Sequence, residues 1–209
     1  MKLTTMTQVT VDGVMQGNGG VSDADRNTGF TRGGWALGMG DSETMDLINE
    51  TYARADAFLF GRKTYDLFAW YWGDPERARE AVADPSSSPI AYALNARPKY
   101  LASTTVTEPV WDHTTHLTGD LATAIRELKA SGEGELQVHG SATLVRWLLA
   151  NDLVDELTLL VVPVILGQGA RLFPEAGPDI ALALVDSHVD SNGVTIQTFR
   201  PNGRPHYAD

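Results

Sequence analysis

Gly61-Arg62-Lys63-Thr64 follows directly on the apolar run Ala57-Phe58-Leu59-Phe60. A glycine that lets a ligand approach the backbone, two cations and a hydroxyl, all where a helix can begin, have the composition of a phosphate site. A strand-to-helix turn carrying solvated basic residues has the same composition. In a chain whose 16 Lys and Arg face 27 Asp and Glu, for a net charge of −11, two adjacent cations at a strand end tip the reading toward phosphate. His139-Gly140-Ser141-Ala142-Thr143 has a similar placement, closing one apolar run and opening another of helical spacing. The free N–H groups and the dipole of a helix start favour an anion there. The glycine repeat of a Rossmann fingerprint is missing, so a plain turn with a Ser cap also fits, and a lone His139 reads as a hydrogen-bonded structural residue. A third segment, Pro163 to Phe173, closes a long strand and carries Gly167 and Gly169. Such spacing suggests a tight backbone passage beside a ligand or subunit, or a sheet-edge bulge.

Other chemistries find less support. Cysteine is absent, which removes disulfides, thiolate nucleophiles, Fe–S clusters and Cys-type zinc sites. His113 and His116 share a loop but lack a carboxylate pair at ligand spacing, and no serine lies in a G-x-S-x-G elbow. No metal site is expected. The carboxylates of Asp152-Leu153-Val154-Asp155-Glu156 begin a strand and read as structural. Trp70-Tyr71-Trp72 can stack a flat heterocycle or fill core. The negative net charge opposes a phosphate backbone, so nucleic acid is not an expected partner. No apolar run approaches the ~18 residues of a membrane span; the longest, Leu157 to Leu166, holds Thr158 and Pro163. The first residues lack signal-peptide features, which makes a cytoplasmic location the expectation.

The elements that must hold these segments follow from periodicity. A chain of 209 residues is expected to form one domain over 1–209. Alternation from Leu3 to Val11 predicts a strand ended by Asp12-Gly13. Gly17 to Gly40 holds eight glycines and reads as a long loop. Met45, Ile48 and Tyr52 predict a helix over Ser42 to Arg54, capped by Asp41 or Ser42. From Asp66 to Ala96 the pattern blurs into an aromatic cluster, a helix-like Pro75 to Val82 and a Pro/Ser turn, which reads as an insertion. Tyr100 to Ala102, Glu135 to His139 and Val154 to Val162 read as strands. Helices opened by Thr118 or Asp120 and by Ser141 separate them, the first closed by Gly132. Ile180 to Val185 and Val194 to Phe199 flank an Asn192-Gly193 hairpin signal. The fold class is α/β: a mostly parallel sheet flanked by helices on both faces, with an antiparallel C-terminal hairpin. Ligands of such sheets bind beyond the C-terminal strand ends, where the three glycine-bearing segments fall.

Taken in order, these pieces resemble the dihydrofolate reductase fold, and within it the family of the riboflavin-biosynthesis reductase C-terminal domain. The matching residues are Thr10-Val11-Asp12-Gly13, Gly61-Arg62-Lys63-Thr64-Tyr65, Pro98 to Ser103, Val138-His139-Gly140-Ser141, Leu153 to Leu157, and Pro163 to Gly169 with Leu172-Phe173. The resemblance implies an NADPH-dependent reductase in which hydride passes directly from nicotinamide to substrate. It implies Arg62, Lys63 and Thr64 at the 2′-phosphate and a neighbouring phosphate, with Gly61 giving close approach. It further implies Ser103 and Thr104 along the adenine ribose, and Gly140, Ser141, Ala142 and Thr143 at the pyrophosphate. Val9, Thr10 and the Gly17 to Val21 loop fall near the nicotinamide. Asp46 lies near the place of the folate-binding carboxylate, where it can protonate a pterin-like ring or simply face solvent. Arg97, Trp72 and Gly167 are candidate substrate contacts. The consecutive glycines of dihydrofolate reductase are here reduced to His139-Gly140-Ser141. Without cysteine this chain cannot hold the zinc centre of the deaminase partner, so a stand-alone reductase, forming a homodimer and taking a small heterocyclic or carbonyl-type substrate, is expected. Two alternatives remain: reduction of a ribosylaminopyrimidine phosphate in the riboflavin pathway, and a non-catalytic ligand-binding protein of the same fold.

Overall fold

In a computed structural model, which describes residues 1–177 and 179–208, the first strand is β1 (Lys2–Thr10). Its alternation sends Leu3, Thr5, Thr7 and Val9 to one face, where all four are buried. Parallel partners flank it: β5 (Glu135–Val138) on one side and β6 (Glu156–Val162) on the other. Beyond β5 come β2 (Ala57–Gly61), β3 (Lys99–Ala102) and β4 (Thr114–His116), also parallel. β8 (Thr195–Pro201) joins β6 antiparallel and β7 (Leu182–Val189) closes that edge, for the order β4-β3-β2-β5-β1-β6-β8-β7. The fold is the dihydrofolate reductase-like α/β arrangement.

Helices cover both faces. α6 (Leu121–Ala130) and α7 (Ala142–Ala150) put Ile125, Leu144, Val145, Leu148 and Leu149 against Leu3, Leu59, Leu136 and Leu157. On the other face α2 (Ser42–Arg54) contributes Ile48 and Tyr52, packed with Phe58, Phe60, Leu101, Leu160 and Ile196. Each helix is amphipathic, and burying its apolar stripe is what fixes it to the sheet; on α2, however, Met45 of the expected stripe is exposed, and Thr44 and Thr51 join Ile48 and Tyr52 on the buried face. Asp41 caps α2 by accepting the Thr44 N–H at 3.0 Å. Its other oxygen accepts from the Ser191 N–H and hydroxyl, while Asp190 accepts from the Asp41 N–H and the Thr44 hydroxyl. These bonds tie the start of α2 to the β7–β8 turn, where Gly193 has φ +83° as an Asn-Gly turn requires.

Several expectations are corrected. The stretch Asp66 to Ala96 is a helical crossover: α3 (Arg62–Tyr71), α4 (Pro75–Ala83) and α5 (Pro89–Ala96). Periodicity blurs there because Leu67, Trp70 and Tyr71 are exposed on α3 and because short α5 buries small residues, Ala91 and Ala93, with Leu94. The glycine-rich loop contains one short helix, α1 (Asp23–Asn27), opened by Ser22. His113 and His116 border a short strand, β4, which periodicity cannot reveal in three residues. Gly132 is not the left-handed closure of α6: Ser131 ends that helix and Gly134 takes φ +104°, where a Cβ would lie 2.2 Å from Asp56 Oδ2. The strand expected from Val154 begins at Glu156. Asp155 Oδ2 accepts the Leu3 N–H at 2.7 Å and pairs with Lys129, and Glu156 pairs with Lys2 and Arg200, so these carboxylates clamp strand starts.

Candidate cofactor and active site

Six parallel strands leave all their C-terminal ends on one edge of the sheet. Gly61, last residue of β2, is the N-cap of α3, and Ser141, three residues past β5, is the N-cap of α7. The two turns press together, since a Cβ on Gly61 would lie 2.6 Å from Ser141 Oγ and 3.4 Å from Leu144 Cβ. Gly140 has φ +95°, and a Cβ there would meet Thr64 Oγ1 at 3.1 Å and Met15 Cε at 3.5 Å. The loop after β1, the start of α3 and the start of α7 therefore converge on backbone that only glycine leaves open.

Asp41, Asp74 and Asp120 cap α2, α4 and α6 through their carboxylates, whereas neither Gly61 nor Ser141 makes a side-chain cap bond, a lack that Ser88 shares before α5. The first-turn N–H groups of α3 and α7 are thus left to another acceptor, and an anion is the partner that suits both them and the helix dipoles. Arg62 and Lys63 are exposed beside that opening and Thr64 is half-buried. Arg62 Nη1 is 2.7 Å from Asp66 Oδ2, one turn along its own helix. Burial opposes ionisation of Asp25, but hydrogen bonds from Ser22 and Gln16 together with the Lys63 charge outweigh it and lower its pKa.

At the end of β1, Thr10 is buried; its hydroxyl donates to Asp12 Oδ1 at 2.6 Å and accepts the Val14 N–H at 2.9 Å. Asp12 also accepts the Leu166 N–H at 3.1 Å and the Gly167 N–H at 2.8 Å. The Thr10 hydrogen bond, joined by those two amides and opposed by partial burial, takes its pKa down to about 2. Arg171 Nη2 is 3.9 Å from Asp12, and Arg32 Nη1 donates to the Leu166 carbonyl. The glycine-rich loop closes over this corner: the Gly34 N–H donates to the Gly17 carbonyl at 2.7 Å and Asn18 Nδ2 to Gln8 Oε1 at 2.8 Å. Val9 lies buried beneath.

His139 is buried, stacked on Tyr52 with centroids 4.1 Å apart, its Nε2 3.0 Å from Gln137 Oε1. Burial drives its pKa down to about 3, so near neutral pH the ring is uncharged and its one N–H is taken up by Gln137. Ser103 Oγ accepts the Thr105 and Val106 N–H groups of its own turn, and Thr104 is exposed beside it. Ala142 and Thr143 form the first turn of α7.

Three expected residues are not brought to these turns. Arg97 precedes β3 and so lies at the opposite, N-terminal edge of the sheet, its carbonyl accepting Lys99 Nζ at 3.0 Å. Trp72 ends α3, a full helix length from the phosphate turn, with its carbonyl accepting Asn95 Nδ2 at 2.9 Å. Asp46 is exposed on α2, turned away from Thr44, Ile48, Thr51 and Tyr52. Gly167 does lie at the site edge. Sequence reasoning gave no role to Asp12, Gln16 or Arg32; the Thr10-x-Asp12 spacing after a strand is the one signal that pointed there. An open basin of about 800 Å³ bordered by Lys2, Arg126, Lys129 and Glu156 lies at the far edge of the sheet, and the chemistry assembled at the strand ends outweighs its size. Among the described residues no group of three or more His, Asp or Glu is arranged to hold a metal, and no helix is long and apolar enough to cross a membrane.

Comparison with known proteins agrees with this architecture. The chain is 27% identical over 196 residues to the uncharacterized protein YyaP of Bacillus subtilis (strain 168), covering 93% of this chain and 92% of that protein. Among solved structures it is similar to a protein from Shewanella sp. PV-4 provisionally assigned to riboflavin biosynthesis (TM-score 0.71, 21% identity, 97% of this chain and 99% of that one). It is also similar to a pyrimidine reductase-like protein from Corynebacterium diphtheriae (TM-score 0.61, 16% identity, 96% and 92%). Acinetobacter baumannii RibD gives a TM-score of 0.59 at 13% identity, with 96% of this chain aligned to 58% of that one. The RibD C-terminal domain family matches residues 1–196, and the chain belongs to that family.

Proposed function

We propose that this protein is an NADPH-dependent reductase whose residues 1–209 act as one domain on a small heterocyclic or carbonyl-type substrate. The observation that carries the reading is the meeting of two helix starts, α3 and α7, both without side-chain caps, on glycine backbone beside Arg62, Lys63 and Thr64. That cradle fits a dinucleotide: the α7 turn from Gly140 to Thr143 offers N–H groups to the pyrophosphate, and Arg62 with Lys63 offers charge to a 2′-phosphate. When bound, NADPH supplies the hydride. The chain's own part is to hold the phosphates, to keep the β1 and β6 ends in register through Asp12, and to exclude water with the glycine-rich loop. Arg171 and Arg32 beside Gly167 favour an anionic substituent on the substrate. That supports a second reading, reduction of a ribosylaminopyrimidine phosphate, for which rescue of a riboflavin auxotroph is the test.

Thermal unfolding with NADPH and NADH tests the first reading. A ligand at about 100 times its Kd adds roughly 2.7 kcal/mol, so NADPH is expected to raise Tm clearly and NADH less. No shift with either nucleotide, and no NADPH turnover on a panel of heterocycles and carbonyl compounds, would leave a binding protein of the same fold. A homodimer is part of the proposal, built on the bare β6-β8-β7 face with Leu182, Leu184 and Val189 exposed; a monomeric mass by light scattering refutes it.

A further inference from the structure

β5 stops at Val138, paired with Thr5, while β1 runs on to Thr10. His139 is the first residue past β5, and alternation puts it with Gln137 on the face that α2 covers, where its ring stacks on Tyr52. It stands at the foot of the opening between the β1 and β5 ends, where α7 leaves for the other face, and open α/β sheets take ligands at such a point. Gln137 is buried, and its Nε2 donates to the Thr51 carbonyl at 2.6 Å and to Glu135 Oε1 at 3.0 Å. Glu135 is itself held by the Thr4 hydroxyl at 2.6 Å and by Arg54 at 3.5 Å. Turning the Gln137 amide over would set its oxygen against two other oxygens, so Oε1 faces His139, and a carbonyl oxygen only accepts. The hydrogen bond between them, at 3.0 Å, therefore places the ring proton on Nε2. With the ring uncharged near neutral pH, Nδ1 is a bare lone pair. It has no partner among the described residues and is not sealed off, since His139, deep as it lies, keeps part of its surface open.

We propose that His139 is a specificity-determining residue, whose Nδ1 accepts a hydrogen bond from a ring N–H or amino group of the substrate, and that Gln137 is the positioning residue that keeps this nitrogen unprotonated. The inference rests on the reading of the strand ends as a reductase site and narrows its substrate to flat heterocycles that carry a donor. A lone pair fixed in this way repels a carbonyl oxygen, so an aldehyde or ketone with acceptors alone leaves Nδ1 unpaired on binding, at a cost that a donor avoids. Selection through a polar group left unpaired by the wrong compound discriminates better than the fit of an apolar wall. Tyr52 and Phe58 flank the imidazole, with centroids 4.1 and 5.9 Å away, and hold its plane against turning.

The test uses the full chain, with and without NADPH, and compares benzimidazole with benzoxazole, which has the same shape and an oxygen in place of the N–H. Heteronuclear NMR of the imidazole nitrogens, with His139 assigned through His139→Phe, reads the tautomer and the titrations together. The expected result is a proton on Nε2 in the free protein, a shift of the Nδ1 resonance with benzimidazole, and benzoxazole bound about tenfold more weakly. Gln137→Met is expected to let the proton share both nitrogens and to shrink that preference, whereas a merely structural Gln137 leaves the tautomer as it is. A proton on Nδ1 in the wild type, equal affinity for the two rings, or no binding of benzimidazole each overturns the proposal; all three are read on the wild type, so the test stands even where Gln137→Met fails to fold. A Tm raised by NADPH without a preference between the rings overturns this inference alone. The preference without any NADPH shift supports the acceptor at His139 and overturns the reductase reading.

Discussion

Arg62 does not wait free for a phosphate. Its Nη1 is 2.7 Å from Asp66 Oδ2, an i,i+4 pair with both side chains nearly half exposed, at 43% and 47%. An exposed helix pair of this kind is worth about 0.3–0.5 kcal/mol, whereas a charge-assisted bond to a phosphate contributes about 1.5–3 kcal/mol. Exchanging one for the other leaves about 1–2.5 kcal/mol, so Arg62→Ala is expected to weaken NADPH binding by roughly 5- to 70-fold. NADH, which lacks the 2′-phosphate, should lose less than about twofold. The same ledger predicts the opposite sign for Asp66→Asn: releasing Arg62 should tighten NADPH by about twofold at low salt, with the gain shrinking as salt screens the pair. In the double variant Arg62→Ala/Asp66→Asn the gain should vanish. Dissociation constants from nucleotide fluorescence titrations, at low and high ionic strength, give all four numbers. Equal losses for NADPH and NADH in Arg62→Ala would refute the 2′-phosphate assignment, and weaker binding in Asp66→Asn would refute the competition.

Three further perturbations follow from the structure. Lys99 is fully buried, its Nζ donating to the Leu94 and Arg97 carbonyls and lying 4.8 Å over Trp111; burial, partly offset by Asp112, lowers its pKa from 10.5 to about 8. The folded state therefore sheds this proton first, and between about pH 8 and 10.5 wild type should gain up to about 3 kcal/mol relative to Lys99→Met in denaturant unfolding, so parallel curves refute it. Asp12→Asn removes a charged acceptor from the Leu166 and Gly167 amides and should cost about 1–3 kcal/mol near neutral pH. Because the folded pKa is depressed to about 2, the wild-type advantage should be full above about pH 4 and fade as pH falls toward 2, read by chemical denaturation across that range. Gly33→Ala would place a Cβ 2.7 Å from the Gly20 carbonyl carbon and 2.8 Å from the Val21 nitrogen, so the limbs of the glycine-rich loop must part; a loss of about 1–3 kcal/mol and faster proteolysis between residues 17 and 40 are expected, and an unchanged cleavage rate refutes close packing there.

How far the sequence reaches can be judged residue by residue. Gly61-Arg62-Lys63-Thr64 and Gly140-Ser141 were legible because each combines a strand end, a helix start and a glycine within a few residues, and the local pattern carries the information. The contact between them was not, since nothing in either tetrapeptide says that a Cβ on Gly61 would strike Ser141. Arg97 and Trp72 were assigned by residue type alone, although the polarity of a parallel strand already excludes Arg97: a residue that precedes such a strand lies at the edge opposite its C-terminal end. Asp12 was visible as a motif but not as a hub, because its amide donors at Leu166 and Gly167 are 154 and 155 residues away. The crossover helices were hidden by exposed aromatics on α3 and small buried residues on α5, which break the alternation on which periodicity depends.

The polar groups around the strand ends divide by what already occupies them. Arg62 is held by Asp66, Arg32 by the Leu166 carbonyl, and Ser103 by its own turn, so each must give up a bond before it can serve a ligand. The first-turn amides of α3 and α7 face no side-chain cap and have nothing of that kind to lose. Backbone fixed by packing also loses little conformational entropy on binding, whereas a long cation must be ordered. Affinity for the phosphates common to both nucleotides should therefore come chiefly from the two helix starts. The choice between NADPH and NADH should come from Arg62 and Lys63, at a level limited by Asp66. Ser141 opens α7 without capping it, so the first-turn amides stay available although the turn holds a single glycine.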